Sequence, residues 1–307
     1  RYTNADLDTM DEEPGERRFW DHLDDVPDDV IWKAHLRQKR ELAVFARGRL
    51  LRQFARHGAS PSVLESVERV LDPGILTIGF ARRFATYKRA ALLFSDEERL
   101  ARLLRDDERP VQVIFAGKAH PADRPGQAVI RDIFERSQAP QLAGRAFILE
   151  DYDMRIARYL VQGVDVWLNN PRRPLEASGT SGMKAAANGI VNVSVLDGWW
   201  DEGWAGTNGW AIGGREQSHD EEAQDAADAA DLYRILEEEV VPRWYERDET
   251  GLPQAWVELM KASIASTMWR FSTTRMLEEY VEQLYLPAAH SSERPTADLA
   301  ASRTIPD

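Results

Sequence analysis

Short apolar runs alternate with longer stretches of mixed polarity through most of this chain. The runs are Ile75–Phe80, Val111–Ala116, Ala146–Leu149, Val164–Leu168 and Ile190–Leu196, and branched or aromatic residues are frequent in all of them. Buried strands that are separated by helices are typical of a parallel sheet covered on both faces. The pattern therefore predicts an α/β fold built on a doubly wound parallel sheet, with the run at 190–196 as its last strand.

Helices are predicted between and around these strands, where apolar residues recur at helical spacing. The longest is predicted over residues 31–56, with Asp28 or Asp29 as its cap. An acidic, alanine-rich stretch at 218–239 is interpreted as a solvated helix. Further helices are predicted at 87–104, 127–137, 154–162, 255–265 and 270–285.

The two ends of the chain differ from its middle in composition. Residues 1–27 are polar and acidic, and they predict an irregular lead-in. Residues 287–307 are rich in proline, alanine and serine, and they predict a disordered tail. The residues between them, 28–286, are predicted to form one ligand-binding domain.

Composition excludes several classes of function. The 307 residues carry a net charge of −13, which disfavours nucleic acid as a partner because phosphate backbones require clustered positive charge. The absence of cysteine excludes disulfides, thiolate catalysis and cysteine-ligated zinc, and it fits a cytoplasmic protein. No apolar run approaches the ~18 residues of a membrane span, so no membrane partner is expected.

The most informative segment is Glu176–Gly189, which reads EASGTSGMKAAANG. Small residues from Gly179 to Gly182 can turn backbone N–H groups toward an anion at a helix start. Met183 is predicted to open the helix, which would place Lys184 in its first turn. There a neutral amine could react with an aldehyde cofactor. A phosphate cradle beside a nucleophilic lysine is what pyridoxal phosphate requires.

This segment closely resembles the cofactor-lysine segment of the α-glucan phosphorylases, which act on glycogen, starch and maltodextrin. The resemblance continues through Arg82–Arg89 (RRFATYKR), Ala116–Pro121 (AGKAHP) and Val195–Trp200 (VLDGWW), and it covers residues 30–285. It implies the short bacterial branch of that family. For the fold, it implies a Rossmann-like sheet forming the C-terminal half of a GT-B glycosyltransferase. Because the family carries a long N-terminal half and this chain begins at Arg1, the chain is expected to be a fragment.

The resemblance implies phosphorolysis of α-1,4-glucan to glucose 1-phosphate with retention of configuration. Two phosphate groups must then lie close together, which requires surrounding cations. Arg83 would bind the substrate phosphate. Lys88 would contact the same phosphate or lie between it and the cofactor. Arg82 would lie near the cofactor phosphate, although the longer enzymes carry lysine there, which leaves its role open. The alternative for this cluster is a solvated basic turn.

Pyridoxal 5'-phosphate is the implied cofactor, and Lys184 is its implied covalent anchor. Thr180 and the amides of Gly179 and Ser181 would cradle the cofactor phosphate. Tyr152 would line the pocket of the cofactor ring, although an aspartate follows it where the longer enzymes have arginine.

The resemblance also implies a set of sugar ligands. Glu176 would accept a hydrogen bond from a glucose hydroxyl, assisted by Ser178 and the Gly179 amide. No carboxylate pair is evident at the spacing of about 5–9 Å that glycosidases use. Tyr87 matches a sugar-contacting tyrosine, and a packed aromatic at a helix start is the alternative.

Several other features receive structural interpretations. Asp151 and Asp153 have the D-x-D spacing of metal-dependent transferases, but the triplet is common and no metal site is predicted. His120 is interpreted as a loop-structuring residue rather than a proton carrier. The tryptophans either stack on sugars or pack in the core or an interface; they are Trp199, Trp200, Trp204 and Trp210.

Two other functions stay open from the sequence. A nucleotide-sugar transferase of the glycogen-synthase type would share the architecture but lack a covalent lysine. A non-catalytic glucan-binding module would use the tryptophans and leave Lys184 unmodified. The leading hypothesis is a phosphorylase whose partners are α-1,4-glucan, inorganic phosphate, glucose 1-phosphate and its own N-terminal half. The fragment alone is expected to be inactive. A homo-oligomer is possible, but only because members of the family are often dimeric or larger.

Overall fold

The computed structural model describes residues 17–20, 22–216 and 220–292. They divide into two compact units. The larger unit, His22–Thr267, contains the entire sheet and all the candidate site residues. In the part of the chain that is described, no helix is long and apolar enough to cross a lipid bilayer.

A six-stranded parallel sheet forms the centre of the larger unit. Its strands are β1 Leu76–Ala81, β2 Val111–Ala116, β3 Ala146–Leu149, β4 Val166–Asn169, β5 Val191–Val195 and β6 Gly209–Ile212. The spatial order is β3-β2-β1-β4-β5-β6, so the direction of winding reverses between β1 and β4. Open α/β sheets bind ligands outside the carboxyl ends of their strands at such a reversal. The predicted parallel α/β sheet is therefore confirmed, and its topology places a crevice after β1 and β4.

Helices and short helical turns connect the strands. The α-helices are α1 Arg17–Trp20, α2 Asp28–Arg56, α3 Pro61–Val67, α4 Glu97–Leu104, α5 Arg124–Ser137, α6 Met154–Gly163, α7 Thr180–Ala187, α8 Trp199–Gly203, α9 Glu221–Ile235, α10 Val241–Tyr245, α11 Gln254–Met268, α12 Thr273–Tyr280 and α13 Leu286–Ser292. Turns of 3-10 helix lie at Leu23–Asp25, Thr86–Lys88 and Leu92–Phe94, and π-helical turns at Leu236–Val240 and Val281–Tyr285.

Two buried apolar clusters cover the opposite faces of the sheet. Side chains alternate between the faces along each strand. In β2, Val113 and Phe115 belong to one cluster, whereas Ile114 belongs to the other. The carboxyl ends of the strands are thus fixed by packing on both sides.

A buried ionic cluster holds α2 across the amino end of the sheet. Asp165, directly before β4, forms an ion pair with Lys39 and lies 2.8 Å from Nε2 of His35. It also accepts a hydrogen bond of 2.7 Å from the backbone N–H of Thr77 in β1. Burial alone would raise the pKa of Asp165, but Lys39 and His35 hold that pKa below its ordinary value.

The side-chain amide of Gln53, near the end of α2, binds the outer edge of β3. Its Nε2 donates to the Ile148 carbonyl, and its Oε1 accepts from the Glu150 N–H, both at 3.1 Å. Since β3 is the last strand on its side of the sheet, no neighbouring strand uses these backbone groups. Gln53 satisfies them instead.

The prediction of a helix over residues 87–104 was wrong for the first half of that range. Two 3-10 turns occupy that half, and the α-helix begins only at Glu97, capped by the Asp96 carboxylate. Arg89 has a left-handed φ of 48°, which an α-helix cannot contain. The periodic apolar residues therefore pack without forming a continuous helix.

The sheet also has one strand more than the sequence pattern predicts. β6 reads Gly-Trp-Ala-Ile and pairs with β5 at the edge of the sheet. The run is too short, and too close to glycines, to be recognised from apolar content. The prediction that the run at 190–196 closes the series was therefore wrong.

The chain ends are also more helical than predicted, where they are described. A helix at Arg17–Trp20 and a 3-10 turn at Leu23–Asp25 fall within the predicted irregular lead-in. Helix α13 extends to Ser292, past the predicted start of the disordered tail at 287. Residues 1–16 and 293–307 lie outside the described residues, so the remaining parts of both predictions stay predictions.

Candidate anion and sugar site

Two loops meet at the crevice, one after β1 and one after β4. The backbone N–H of Arg172 donates to the Tyr87 carbonyl at 2.7 Å and joins them. From the first loop, Arg82 Nη2 and Lys88 Nζ each lie 2.5 Å from Oε2 of Glu176 in the second loop. Their side chains are only 7%, 8% and 11% exposed, respectively. The structure thus brings together two predicted phosphate ligands and the predicted sugar ligand.

Arg82 is buried with only part of its hydrogen-bonding capacity used. Its Nε and Nη1 are buried, and neither has a hydrogen-bond partner among the described residues. Burial lowers the pKa of the Arg82 guanidinium against the opposing effect of Glu176, although arginine stays charged at neutral pH. Buried unpaired donors are costly, so they indicate a place where an acceptor binds. A planar fork of this kind suits a phosphate.

A second carboxylate fixes the backbone at Glu176. Asp197 accepts hydrogen bonds from the N–H groups of Glu176 and Gly198, both at 2.9 Å. Burial raises the pKa of Asp197, although these two bonds oppose the shift. Gly198 has a φ of 56°, and a Cβ there would lie 2.5 Å from the Ser178 carbonyl oxygen. The turn at Asp197–Gly198 therefore requires glycine and supports the segment that carries Glu176.

The glycine-rich segment turns directly into α7. Gly179 adopts a left-handed φ of 87° and forms the cap, and the helix begins at Thr180. A Cβ on Gly182 would lie 2.6 Å from Trp199 Nε1 and 2.9 Å from Asn192 Oδ1. The first turn of α7 therefore packs closely against β5 and α8.

Lys184 lies in the second turn of α7. The prediction that it lies in the first turn was therefore wrong. The cause is Gly182, which is a packing residue inside the helix rather than part of the loop before it. Ala185 and Ala186 are buried, whereas the Lys184 side chain is exposed. Its amine is thus accessible to a ligand from the solvent side.

The predicted hydroxyl and amide ligands around Lys184 are also accessible. Ser178 and Thr180 are exposed, and Ser181 and Gly179 are partly buried. Arg83 is exposed as well, unlike its buried neighbour Arg82. The roles predicted for these residues stay predictions.

Two tyrosines flank the crevice. Tyr87 is partly buried, and Lys88 Nζ lies 4.8 Å from the centre of its ring. Tyr152, in the loop after β3, packs against one of the two apolar clusters, and burial raises its pKa. Both rings are only partly buried, and the roles predicted for them stay predictions.

The aspartates around Tyr152 have structural partners. Asp153 accepts a hydrogen bond from the Ile156 N–H at 2.7 Å, which caps α6, and it pairs with Arg49. Asp151 pairs with Arg56 at 3.0 Å. The aspartate at position 153 thus begins a helix where the longer enzymes carry arginine.

The other features are largely structural. Trp199, Trp200 and Trp210 are buried, so they pack in the protein rather than offering an open face to a sugar. Trp204 is partly buried, and its Nε1 donates to the Gly209 carbonyl at 3.2 Å. His120 Nδ1 accepts from the Ala122 N–H at 3.1 Å, as a loop-structuring residue would.

Sequence reasoning missed several residues that shape this site. Asn169 is the last residue of β4 and Asn170 follows it, and the side-chain oxygen of each is buried without a partner among the described residues. Arg89 is part of the first motif, but the sequence predicted no role for it. Its side chain is buried and donates a hydrogen bond to the Asn170 carbonyl in the second loop. Two consecutive asparagines directly after a buried strand were the available signal, because apolar residues normally continue there.

The residues present fit a phosphorylated aldehyde cofactor. Lys184 supplies an accessible amine, and Gly179 leaves the backbone before α7 without a side chain at the helix cap. The unpaired donors of Arg82 suit a phosphate. When bound, pyridoxal phosphate would be held by these groups.

The fold and the site together define a doubly wound α/β protein with two buried cations and a carboxylate at the point where the strand order reverses. Comparison with known sequences narrows this class. The family described as Carbohydrate phosphorylase matches residues 51–202. The chain is 48% identical to a glycogen phosphorylase of Aquifex aeolicus, across 88% of this chain and 38% of that protein.

Two further relatives agree. A maltodextrin phosphorylase of Thermococcus litoralis is 47% identical across 88% of this chain and 31% of its own length. A glycogen phosphorylase of Mycobacterium tuberculosis is 43% identical across 94% of this chain and 34% of its own length. The chain belongs to the carbohydrate phosphorylase family, and it spans about a third of the length of these relatives.

Proposed function

We propose that this chain is the C-terminal, cofactor-binding part of an α-glucan phosphorylase of GT-B architecture. The enzyme cleaves an α-1,4-glucan with inorganic phosphate and releases glucose 1-phosphate with retained configuration. The single observation that carries the proposal is the buried cluster of Arg82, Lys88 and Glu176, with two unused donors on Arg82. The names of the relatives, glycogen and maltodextrin phosphorylase, support the substrate class.

Lys184 anchors pyridoxal 5'-phosphate in this proposal. Thr180 and the backbone amides of Gly179 and Ser181 bind its phosphate, and Tyr152 lines the ring. When bound, the cofactor supplies a phosphate group that exchanges a proton with the substrate phosphate. The start of α7 favours negative charge there, because its first N–H groups and the helix dipole point toward the ligand.

The cations of the first loop hold the two phosphates: Arg83 and Lys88 orient the substrate phosphate, and Arg82 lies near the cofactor phosphate. Arg82 and Lys88 are largely desolvated, so their attraction for a phosphate is stronger than it would be in water. Arg83, which is exposed, approaches the phosphate from the solvent side. Holding the nucleophile in place near the sugar carbon lowers the entropic part of the barrier.

Glu176 and its neighbours bind the sugar. Its carboxylate accepts a hydrogen bond from a glucose hydroxyl, and Ser178, the Gly179 amide and Tyr87 supply further contacts. The position of Glu176 beside both cations couples the sugar to the phosphate. A misplacement of either group by about 1 Å would reduce the rate strongly.

The rest of the enzyme completes the cleft. Because the chain covers about a third of its relatives, we expect it to bind the cofactor yet show negligible phosphorolysis alone. Robust glucose 1-phosphate formation by this chain would contradict that expectation.

The decisive experiment is borohydride reduction of the purified chain after incubation with pyridoxal 5'-phosphate, followed by peptide mass spectrometry. We expect a phosphopyridoxyl adduct on Lys184 and loss of the absorbance of the lysine-bound cofactor in K184A. K118A, which alters another exposed lysine after a strand, is the control and should retain the adduct. Absence of the adduct together with binding of a nucleoside diphosphate would instead indicate a nucleotide-sugar transferase.

A further inference from the structure

Arg89 directly follows Lys88, and its side chain is only 3% exposed. Its Nε donates to the Asn170 carbonyl at 2.8 Å, and its Nη2 donates to the Pro171 carbonyl at 2.9 Å. In return, the Asn170 side chain donates to the Arg89 carbonyl at 2.9 Å. One residue of the first loop is therefore bonded to two consecutive backbone positions in the loop that leads to Glu176.

The same guanidinium is fixed from the other side by helix α9. Its Nη1 lies 2.9 Å from Asp225 and its Nη2 lies 2.7 Å from Asp228. Asp225 also pairs with Arg172 at 2.6 Å, in the second loop. The acidic stretch around α9 was interpreted as a solvated helix, but these contacts and the burial of Tyr233 show that one face of it is engaged.

The backbone of Arg89 is in an uncommon conformation. Its φ of 48° lies in the left-handed region, which residues other than glycine rarely adopt. Such conformations persist where surrounding interactions determine them, and they concentrate at functional sites. Here the determining interactions are the four side-chain bonds of Arg89 and the bond to its carbonyl.

We propose that Arg89 is a positioning residue that sets the place of Lys88 relative to Glu176, and thereby sets the affinity for the substrate phosphate. This inference rests on the proposed function. Among the contacts described, the Arg89 side chain makes no hydrogen bond or ion pair with Lys88 or Glu176, but it joins the two loops that carry them. Lysine cannot replace it, because a single ammonium lacks the planar fork that reaches two carbonyls and two carboxylates.

The test uses the chain loaded with pyridoxal 5'-phosphate and titrated with inorganic phosphate in a calorimeter. In R89M we expect the phosphate dissociation constant to rise by about tenfold or more, because the two loops are no longer held in a fixed position relative to each other. In R89K we expect a loss close to that of R89M. Cofactor loading at Lys184 should stay within about twofold of the parent chain, since α7 is seated independently by Asn192 and Trp199.

The matched control is R136M. Arg136 also binds two carboxylates and one carbonyl, those of Asp132, Glu97 and Phe94, but none of these residues belongs to the loop that carries Glu176. A merely structural arginine would lower thermal stability without changing phosphate affinity, and that is the result expected for R136M. Equal phosphate affinity in R89M and the parent chain, or an equal loss in R136M, overturns the proposal.

A second route avoids dependence on one variant. D228N removes one of the two charged anchors of Arg89 and should weaken phosphate binding in the same direction, while R89M/D228N should be no weaker than R89M. Additive losses in the double variant contradict a shared role. Failure of this proposal leaves the Lys184 adduct intact, whereas failure of the proposed function abolishes the adduct in the parent chain.

Discussion

Two carboxylates occupy opposite ends of the same sheet, and each is held by two basic side chains. At the amino end, Asp165 is enclosed by His35 and Lys39, which are 2% exposed. At the carboxyl end, Glu176 is held by Arg82 and Lys88 but remains 11% exposed. The two clusters are similar in composition, yet they differ in how completely their donors are used.

The cluster at Asp165 is nearly saturated. The carboxylate is bonded by Lys39, His35 and the Thr77 N–H, and Lys39 also donates to the Ile75 carbonyl at 2.6 Å. One ring nitrogen of His35 is its only unpaired buried atom among the described residues. An ionic cluster closed in this way has little capacity left for a ligand. It acts as a structural link between α2 and the sheet.

The cluster at Glu176 is incomplete. Two donors on Arg82 are unused, and glycines and hydroxyls with accessible surfaces lie in the adjoining loop. Unused buried donors beside an open crevice distinguish a binding site from a structural ion pair. The comparison therefore supports a structural role for the Asp165 cluster and the binding role that we propose for the Glu176 cluster.

The largest expected effect follows from breaking the saturated cluster. K39M would leave Asp165 buried without its main counter-charge, so the free energy of unfolding should fall by about 3–5 kcal/mol. Urea unfolding at neutral pH measures this loss. The control K33M removes an exposed lysine paired with Asp29 and should change stability little. Similar losses in the two variants would show that burial does not matter here.

Acid should act on the same cluster. Because the folded-state pKa of Asp165 lies below its ordinary value of 3.8, its stabilising contribution is fully present above that value. The contribution is lost as the pH falls through the folded-state pKa, where the carboxylate takes up a proton. Unfolding measured from pH 7 down to pH 3 should therefore show a steeper acid loss in the parent chain than in K39M. Parallel curves would contradict this linkage.

A smaller effect is expected at the binding end from G182A. The new methyl group would meet Trp199 and the Asn192 side chain, so α7 must shift, at a cost of about 1–3 kcal/mol. Cofactor loading at Lys184 should fall with it. The control G48A lies inside α2, where the nearest atom is 3.8 Å away, and it should stabilise the chain by about 0.5–1 kcal/mol. If G182A bound the cofactor as fully as the parent chain, close packing at Gly182 would not be needed to position Lys184.

The smallest expected effect concerns charge alone. E176Q removes one negative charge beside Arg82 and Lys88, so phosphate should bind about five- to tenfold more tightly, while glucan contacts weaken. Phosphate titration of the loaded chain measures this change. E237Q, which alters the partner of Arg99 far from the crevice, should leave phosphate affinity unchanged. Weaker phosphate binding in E176Q would mean that Glu176 orients the cations more than it opposes the anion.

The sheet and part of the candidate site could be predicted from the sequence because both depend on local patterns. Five of the six strands were recognised as apolar runs. Arg82, Lys88 and Glu176 were predicted as ligands from motifs, and parallel strands bring loops after their carboxyl ends to one edge. What the sequence did not indicate is that the three residues touch.

The rest depended on contacts between distant residues. The Asp165 cluster joins positions more than 120 residues apart, and Arg89 reaches residues of α9 at similar separation. Neither has a local pattern that separates it from an ordinary polar residue. The prediction that Met183 opens α7 was wrong for a related reason. Gly182 is held by packing against Trp199 and Asn192 rather than by local propensity.

The amide of Gln53 has a consequence for how this chain behaves in solution. By binding the Ile148 carbonyl and the Glu150 N–H, it occupies two outer backbone groups with which a strand of a second molecule could pair. A parallel sheet that is exposed during folding is prone to aggregation, and an exposed edge makes self-association easier. At these two positions, a strand from a second molecule would first have to displace the Gln53 side chain.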